Sequence, residues 1–305
     1  MNLRDLEYLV ALADHRHFGR AAAACYVSQP TLSTQVKKLE SELGVILVER
    51  GSRSVLLTAA GEAVVTQARH LLEDAEQIRR IARAVADPEA GTLRLGLFPT
   101  LAPYLLPHIV DGVRARFPRL ELLLVEEKSP ELIERLRAGT LDAALLALPL
   151  PEESLAAEPL FREDFLLAMP AGHELAAAPE PLPADAMAGQ ELLLLEDGHC
   201  LRDQALAVCA SAGGHERGGF RATSLETLRH MVATGVGLTL LPELSVSPPV
   251  AAHPGVVVRR LADPAPYRDI ALARRPSHVD GQLLVDLAAV LREVPHVHPL
   301  PPSKP

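Results

Sequence analysis

The N-terminal part of the chain has apolar residues at helical spacing, interrupted by short polar breaks. The first such series is Leu3, Leu6, Val10 and Ala13. An alanine-rich second helix is predicted over residues 18–25. A third helix is predicted to follow Ser28, because serine is a preferred N-cap residue and Pro30 is tolerated in a first turn.

The third predicted helix has two chemically different faces. Its apolar residues step by four, three and four positions: Leu32, Val36, Leu39 and Leu43. Its other face carries hydroxyls, amides and lysines: Gln29, Thr31, Ser33, Thr34, Lys37 and Lys38. Such a face suits a DNA major groove, because hydroxyls and amides reach base edges while lysines neutralise phosphates. On spacing alone, a three-helix bundle with a solvated polar face is an equal alternative.

Two apolar runs at residues 45–48 and 55–58 are predicted to form strands around a turn carrying Arg50 and Arg53, a wing against the DNA backbone. A long helix is then predicted from residue 58 to about residue 87, with a heptad stripe: Val64, Ala68, Leu71, Ala75, Ile78 and Ala82. Such a stripe favours pairing with a second copy, and packing on its own domain is the alternative. Residues 87–91 should end the helix and mark a domain boundary.

From residue 92 onward, short apolar runs alternate with amphipathic stretches. Strands are predicted at residues 92–98, 120–126, 141–148, 192–195 and 220–222, and helices follow four of them. This alternation predicts an α/β domain with a parallel sheet. Thr100, Ser129, Cys200 and Ser224 lie at strand-to-helix junctions, so a parallel sheet would bring them to one edge, where ligands bind. For each hydroxyl taken alone, a helix cap is the simpler interpretation.

The composition is that of a globular protein with about two domains, since 48% of the 305 residues are apolar and 23% are charged. A net charge of −9 argues weakly against a nucleic-acid partner, but residues 1–60 carry +1 and the remainder carries −10. The charged N-terminus and the lack of an apolar run of about 18 residues predict a cytoplasmic protein without a membrane partner.

Cys200 follows His199 at the predicted start of a helix. The helix N-terminus, a protonated His199 or a nearby arginine would favour the thiolate, which is the nucleophilic form. Cys209 would lie about 13.5 Å further along a continuous helix, whereas a disulfide needs Cα atoms within about 7 Å. A bond between them would require local melting, as a redox switch does. Two buried structural cysteines are the alternative, and Cys25 is interpreted as structural.

The N-terminal residues closely resemble the winged helix-turn-helix of LysR-type transcriptional regulators. The resemblance is carried by residues 18–22, 28–40, 43–44, 49–50 and 57–61. It implies DNA contacts from a recognition helix and a wing: Gln29, Pro30, Thr31, Ser33, Thr34, Lys37, Arg50 and Arg53. It also implies a DNA-binding domain at 1–58, a dimerising linker helix at 59–87 and a regulatory domain at 88–295. That regulatory domain would be α/β and periplasmic-binding-protein-like, with two subdomains that cross over near residues 163 and 268.

The tail at residues 296–305, rich in proline, is expected to be disordered.

The cysteine region, at residues 194–205, 209 and 220–228, resembles the peroxide-sensing members of the LysR family. This resemblance implies that peroxide oxidises Cys200 to a sulfenic acid, which condenses with Cys209 into a reversible disulfide. It implies four neighbours of the peroxide: His199, Thr100, Ser129 and Arg268. Ser129 stands where the better-known relatives have threonine.

The same resemblance implies control of antioxidant genes by a non-enzymatic homodimer or homotetramer. No cofactor is expected, and no metal site is expected because the histidines are scattered along the chain. Its expected partners are promoter DNA, RNA polymerase, hydrogen peroxide and a thiol reductant such as glutaredoxin or thioredoxin. Two other functions stay open: a LysR-type regulator that senses a small metabolite in the same cleft, and a thiol peroxidase. Turnover with thioredoxin would distinguish the peroxidase.

Overall fold

The computed structural model describes residues 1–50, 55–86, 91–150, 155–276 and 281–301, and the chain divides into two compact units. The elements of the N-terminal unit follow the predicted order: α1 (Leu3–His15), α2 (Phe18–Ala24), α3 (Gln29–Leu43), β1 (Val48–Arg50), β2 (Val55–Leu57) and α4 (Ala59–Ala86). The strands β1 and β2 pair in antiparallel register. Arg53 and the side chain of Arg50 lie outside the described residues.

Helix α3 has the cap that its sequence predicts. The Ser28 hydroxyl accepts a hydrogen bond from the Thr31 N–H at 3.3 Å, and Gly44 ends the helix in the left-handed region at φ 71°. Leu32, Val36 and Leu39 are fully buried, as predicted. The helix therefore presents its polar residues to the outside.

For two residues of the predicted apolar series, the expectation that they are buried is wrong. Leu3 and Leu43 are exposed, because each lies in a terminal turn of its helix. The buried face of α1 instead contains Leu6, Leu9 and Leu12, and these pack into the core of the N-terminal unit.

Helix α4 divides its apolar residues between two environments. Val65, Ala68 and Leu72 pack against the core of the N-terminal unit. Leu71 and Ile78 are exposed, Ile78 by 68%. The first turns of α4 thus pack on their own domain, which was the alternative prediction. Leu71 and Ile78 of the heptad stripe stay exposed. The side chain of Ala82 lies outside the described residues.

The C-terminal unit alternates strands and helices along its first half: β3 (Gly91–Leu97), α5 (Ala102–Arg116), β4 (Leu120–Glu126), α6 (Ser129–Arg137), β5 (Ala143–Ala147) and β6 (Ala156–Pro170). Its second half continues with β7 (Glu191–Leu195), α7 (Cys200–Ala212), β8 (His215–Ala222), α8 (Leu225–Ala233), β9 (Thr239–Pro242), β10 (Val256–Arg259), β11 (Tyr267–Arg274), α9 (Gly281–Leu291) and β12 (His298–Pro299).

The parallel arrangement expected from the sequence holds for only part of the strands. Strand β3 is parallel to β4 and β5, and β7 is parallel to β8. Strand β6 is antiparallel to β9, β10, β11 and β12. It spans 15 residues, so its first part pairs with β11 and its second part with β9 and β10. Residues 163 and 268, where the crossovers between subdomains are predicted, face each other in the β6–β11 pairing.

The expectation of a disordered tail is wrong for its first part. Strand β12 pairs with β6, and the Leu300 N–H donates to the Leu160 carbonyl at 2.9 Å. Proline does not prevent this pairing, because a strand at a sheet edge leaves one row of backbone groups unpaired. Residues 302–305 lie outside the described part of the chain. Within the described ranges, every helix is too short or too polar to cross a membrane.

The close approach of α4 to the loop before β1 makes Gly61 a test of this packing. A Cβ at this position would lie 2.1 Å from the Leu47 carbonyl oxygen, which the backbone has no room to accommodate. We expect Gly61→Ala to lower the free energy of unfolding by about 1–3 kcal/mol, measured by urea denaturation. Gly112→Ala on α5 is the control, because its Cβ would meet only Val290 at 3.4 Å, and it should stabilise by up to about 1 kcal/mol. A Gly61→Ala protein as stable as the parent would contradict the packing.

Candidate functional site

Cys200 is the first residue of α7, at the end of a short loop that leaves β7. Gly198 makes the turn possible, because its φ of 90° lies in a region that side chains disfavour. His199 is the N-cap residue, so the N–H groups of Cys200 and Leu201 are free of helical partners and interact with the sulfur. The Cys200 side chain is half-buried, and all three cysteines of the chain are free thiols.

Arg268 is the cation whose charge favours the thiolate form of Cys200. It reaches from β11 and is fully buried. One terminal N–H group donates to the Thr100 hydroxyl at 3.0 Å, and the other donates to the Thr100 carbonyl at 3.0 Å. Its guanidinium also ion-pairs with Glu163 at 2.7 Å and lies 5.2 Å from the centre of the Phe98 ring. The structure therefore places Thr100, Arg268 and Glu163 in contact with one another, and the charge of Arg268 acts on Cys200.

Burial raises the pKa of the Cys200 thiol above its ordinary value. The charge of Arg268, the Ser129 hydroxyl and the N–H groups at the start of α7 act in the opposite direction but do not outweigh burial. The thiol is therefore the main form at neutral pH, and the thiolate fraction grows as the pH rises. The favourable effect of a helix N-terminus is present, yet removal from water is larger.

His199 is not the cation that the sequence suggested. Its side chain is buried, and burial followed by the charge of Lys128 lowers its pKa, although Glu196 and Glu131 oppose this. Since the ordinary value is already below neutrality, the imidazole is neutral at pH 7. Arg268 alone among the predicted neighbours supplies positive charge to the sulfur.

Three buried polar atoms on residues around Cys200 make no hydrogen bond to another nitrogen or oxygen among the described residues. They are Ser129 Oγ, His199 Nε2 and Gln204 Oε1. Ser129 lies close enough to Cys200 to lower its pKa, and Gln204 lies one helical turn after it. Ser129, Cys200 and Gln204 line one open cavity of about 530 Å³. Unpaired buried polar atoms are unfavourable, so this part of the site is suited to a small ligand that both donates and accepts.

A lysine holds the loop before Cys200. Lys128 donates to the Glu196 carboxylate at 2.5 Å and to the Asp197 carbonyl at 3.1 Å. This hydrogen bond lowers the pKa of Glu196. Lys128 directly precedes Ser129. One short segment therefore provides both the hydroxyl that acts on Cys200 and the lysine that binds the loop before it.

Cys209 is separated from Cys200 by the geometry of α7. The helix is continuous over Cys200–Ala212, which confirms the predicted helix between the two thiols. Nine residues correspond to about two and a half turns, so the two side chains point to opposite faces as well as lying about 13.5 Å apart along the axis. Cys209 is fully buried, and burial raises its pKa. A disulfide requires α7 to unwind.

Arg202 anchors the first turn of α7. It donates to the Leu195 carbonyl at 3.1 Å and to both oxygens of Glu216 at 2.9 and 3.1 Å. It also pairs with Asp197 at 2.9 Å. Gly213 ends the helix in the left-handed region at φ 75°. These contacts hold the thiol form of α7 against β7 and β8.

Ser224 does not join this site. Its hydroxyl accepts from the Thr227 N–H at 3.2 Å and caps α8, which is the simpler of the two interpretations offered for it. In the N-terminal unit, the predicted DNA-contacting residues of α3 lie on the face opposite its core: Gln29, Pro30, Thr31 and Thr34 are exposed, Ser33 is half-buried and Lys37 is exposed. The Thr34 hydroxyl donates to the Pro30 carbonyl at 2.8 Å.

Two residues of the site were missed by the sequence analysis. Gln204 carried a usable signal, since a residue four positions after Cys200 shares its helical face. Glu163 carried none, because it lies 105 positions from Arg268 and meets it only through the pairing of β6 with β11.

Comparison with known proteins extends over nearly the whole chain. Residues 3–62 match the family described as "Bacterial regulatory helix-turn-helix protein, lysR family", and residues 86–295 match the "LysR substrate binding domain". The chain is 51% identical over 292 residues to the DNA-binding transcriptional dual regulator OxyR of Escherichia coli K12, covering 96% of this chain and 95% of the relative.

Solved structures agree with this assignment. Full-length OxyR from Pseudomonas aeruginosa superimposes with a TM-score of 0.81 at 39% identity, covering 100% of this chain and 99% of that one. A mutant OxyR from Corynebacterium glutamicum with H2O2 bound gives a TM-score of 0.66 at 34% identity, covering 95% and 91%. The chain belongs to the LysR family of bacterial transcriptional regulators.

Proposed function

We propose that this regulator senses hydrogen peroxide through oxidation of Cys200 and a reversible Cys200–Cys209 disulfide, and that it controls antioxidant genes. The observation that carries the proposal is the arrangement around the sulfur: the half-buried Cys200 lines an open cavity with Ser129 and Gln204, whose buried polar atoms lack partners, and the charge of the buried Arg268 acts on the thiol. The names of similar proteins support it, since one relative is a "Hydrogen peroxide-inducible genes activator" and one structure is H2O2-bound.

The first step is oxidation of the sulfur. The Cys200 thiol loses its proton, and the thiolate attacks one oxygen of the peroxide. An S–O bond forms while the O–O bond breaks, and the leaving hydroxide takes up the proton as water. Ser129, His199 and Gln204 are available to bind the peroxide, and Arg268 favours the thiolate electrostatically.

The second step joins the two cysteines. The Cys209 thiol attacks the sulfenic sulfur, an S–S bond forms, and the sulfenic oxygen leaves as water. Because the thiols lie on opposite faces of α7, this step takes place only when the helix unwinds and the Arg202 contacts break. A thiol reductant such as glutaredoxin or thioredoxin would return the disulfide to the thiol form. One oxidation per activation, rather than enzymatic turnover, is the behaviour expected of a sensor.

The output of the switch is DNA binding by more than one copy of the chain. The exposed polar face of α3 would enter the major groove, and the wing with Arg50 and Arg53 would follow the backbone. The uncovered part of the α4 stripe, with Leu71 and Ile78, suits a dimer contact within a homodimer or homotetramer. Rearrangement of α7 would change this assembly and its contact with RNA polymerase at promoter DNA.

One observation favours a second function. The cavity beside Cys200 has a volume of about 530 Å³, which exceeds the needs of peroxide and would hold a small metabolite. A stoichiometric peroxide pulse followed by mass spectrometry distinguishes the two functions. Free Cys200 and Cys209 after the pulse would favour the metabolite, whereas a Cys200–Cys209 disulfide would favour peroxide.

Cys200→Ser should abolish peroxide-induced transcription and leave DNA binding intact, because the slightly smaller hydroxyl takes the place of the thiol without its redox chemistry. The measurement is a reporter assay with and without peroxide, combined with a mobility-shift assay on the same promoter. Cys25→Ser is the matched control and should keep full induction. Induction that persists in Cys200→Ser would refute the assignment.

Cys209→Ser should still form a sulfenic acid at Cys200 but accumulate no stable disulfide. Dimedone labelling after a peroxide pulse, read by mass spectrometry, should place the label on Cys200. In the parent protein, labelling should fade as the disulfide forms. A variant that gives neither label nor oxidised sulfur would contradict the two-step scheme.

Lys37→Ala should weaken DNA binding through the loss of one phosphate contact. The slope of log K against log salt concentration should fall by about 1, measured by fluorescence anisotropy at several salt concentrations. Arg114→Ala is the control, because it removes an equal charge from an exposed position on α5. An unchanged slope for Lys37→Ala would exclude this contact.

A further inference from the structure

Glu163 and Arg268 form an ion pair that is shielded from water. Both side chains are 0% exposed, and the two residues stand directly opposite each other in the antiparallel pairing of β6 with β11. One Glu163 oxygen accepts from Arg268 Nε at 2.7 Å, while the other accepts from the Leu244 N–H at 2.8 Å. Both carboxylate oxygens are therefore committed, and the pair fixes one edge of the guanidinium.

The remaining edge of that guanidinium serves the sulfur site. Its terminal nitrogens donate to the hydroxyl and the carbonyl of Thr100, and its charge acts on Cys200. A single cation thus faces two acidic groups: a carboxylate that is always in contact with it, and a thiol that becomes an anion only before reaction.

The ion pair with Glu163 limits how far Arg268 can stabilise a Cys200 thiolate. While Glu163 is ionised the pair is neutral, so a Cys200 thiolate adds an uncompensated negative charge to a buried cluster. If the carboxylate were absent, the thiolate would instead neutralise the arginine. Burial also raises the pKa of Glu163, which Arg268 and the Leu244 N–H oppose.

Three other ionisable groups near the two acids are already paired or neutral. His199 is neutral, Lys128 is bound to Glu196, and Glu243, which faces Glu163, is bound to Arg260. Several further ionisable groups face the cavity side of Cys200 or the His199 ring: Glu131, Glu134, Arg137 and Asp203.

We propose that Glu163 is a positioning residue for the Cys200 reaction: it holds Arg268 beside Thr100 and the sulfur, and it offsets the arginine charge so that only part of it favours the thiolate. Peroxide as the oxidant rests on the proposed function above, whereas the action of Glu163 on the sulfur does not. Glu163 then determines the pH range over which the sensor thiol reacts.

The test is the pH profile of Cys200 alkylation by iodoacetamide in the full-length protein. Cys25→Ser and Cys209→Ser are present in every variant, so that Cys200 is the one thiol left. Glu163→Gln should lower the midpoint by about one pH unit or more, which corresponds to about tenfold more thiolate below both midpoints. A midpoint that is unchanged or higher would overturn the proposal. Because alkylation needs no peroxide, this result is independent of whether peroxide is the natural oxidant.

A second comparison remains decisive if Glu163→Gln does not fold, since a buried arginine without its partner is strongly destabilising. Arg268→Gln should raise the midpoint, and adding Glu163→Gln to Arg268→Gln should move it by less than about 0.3 units, because the buried Glu163 carboxyl takes up a proton once the arginine is gone and then carries no charge. Neither variant leaves a buried cation unpaired. A large further fall in the double variant would show that Glu163 acts on the sulfur without Arg268 and would refute the positioning role.

Discussion

An unbroken helix keeps two thiols of this regulator apart, and the rest of the switch depends on that constraint. In α7 the nine-residue spacing places Cys200 and Cys209 on opposite faces, one toward an open cavity and one inside the core. No rotation of side chains brings the sulfurs together, because the backbone separates them by about twice the distance that a disulfide spans. A bond between Cys200 and Cys209 would therefore require the helix to unwind.

The contacts of α7 determine how readily that event occurs. Leu201 and Cys209 are buried in the core, and Arg202 ties the first turn to β7 and β8. Burying a leucine side chain such as that of Leu201 stabilises the helix by roughly 1.5–3 kcal/mol. A disulfide has to outweigh a few such contacts rather than the whole domain.

Burial and charge have opposite effects on the ionisation of the Cys200 thiol. Burial disfavours the thiolate, while Arg268, Ser129 and the helix N-terminus favour it. A thiol fully ionised at rest would react with many electrophiles. In this site the thiolate, which is the reactive form, is the minor species at neutral pH. The neutral His199 fits this picture, because it offers a hydrogen bond rather than a second cation.

The sequence by itself determined what depends on near neighbours along the chain. The caps at Ser28 and Ser224, the buried face of α3 and the helical separation of the cysteines all follow from local spacing and local hydrogen bonds. The resemblance to LysR-type regulators added the residues around the sulfur. Only the tertiary structure decided the partnership of Glu163 with Arg268, the neutral state of His199 and the pairing of β12 with β6. These depend on burial and on strand pairing between residues more than a hundred positions apart, and no local pattern encodes either quantity.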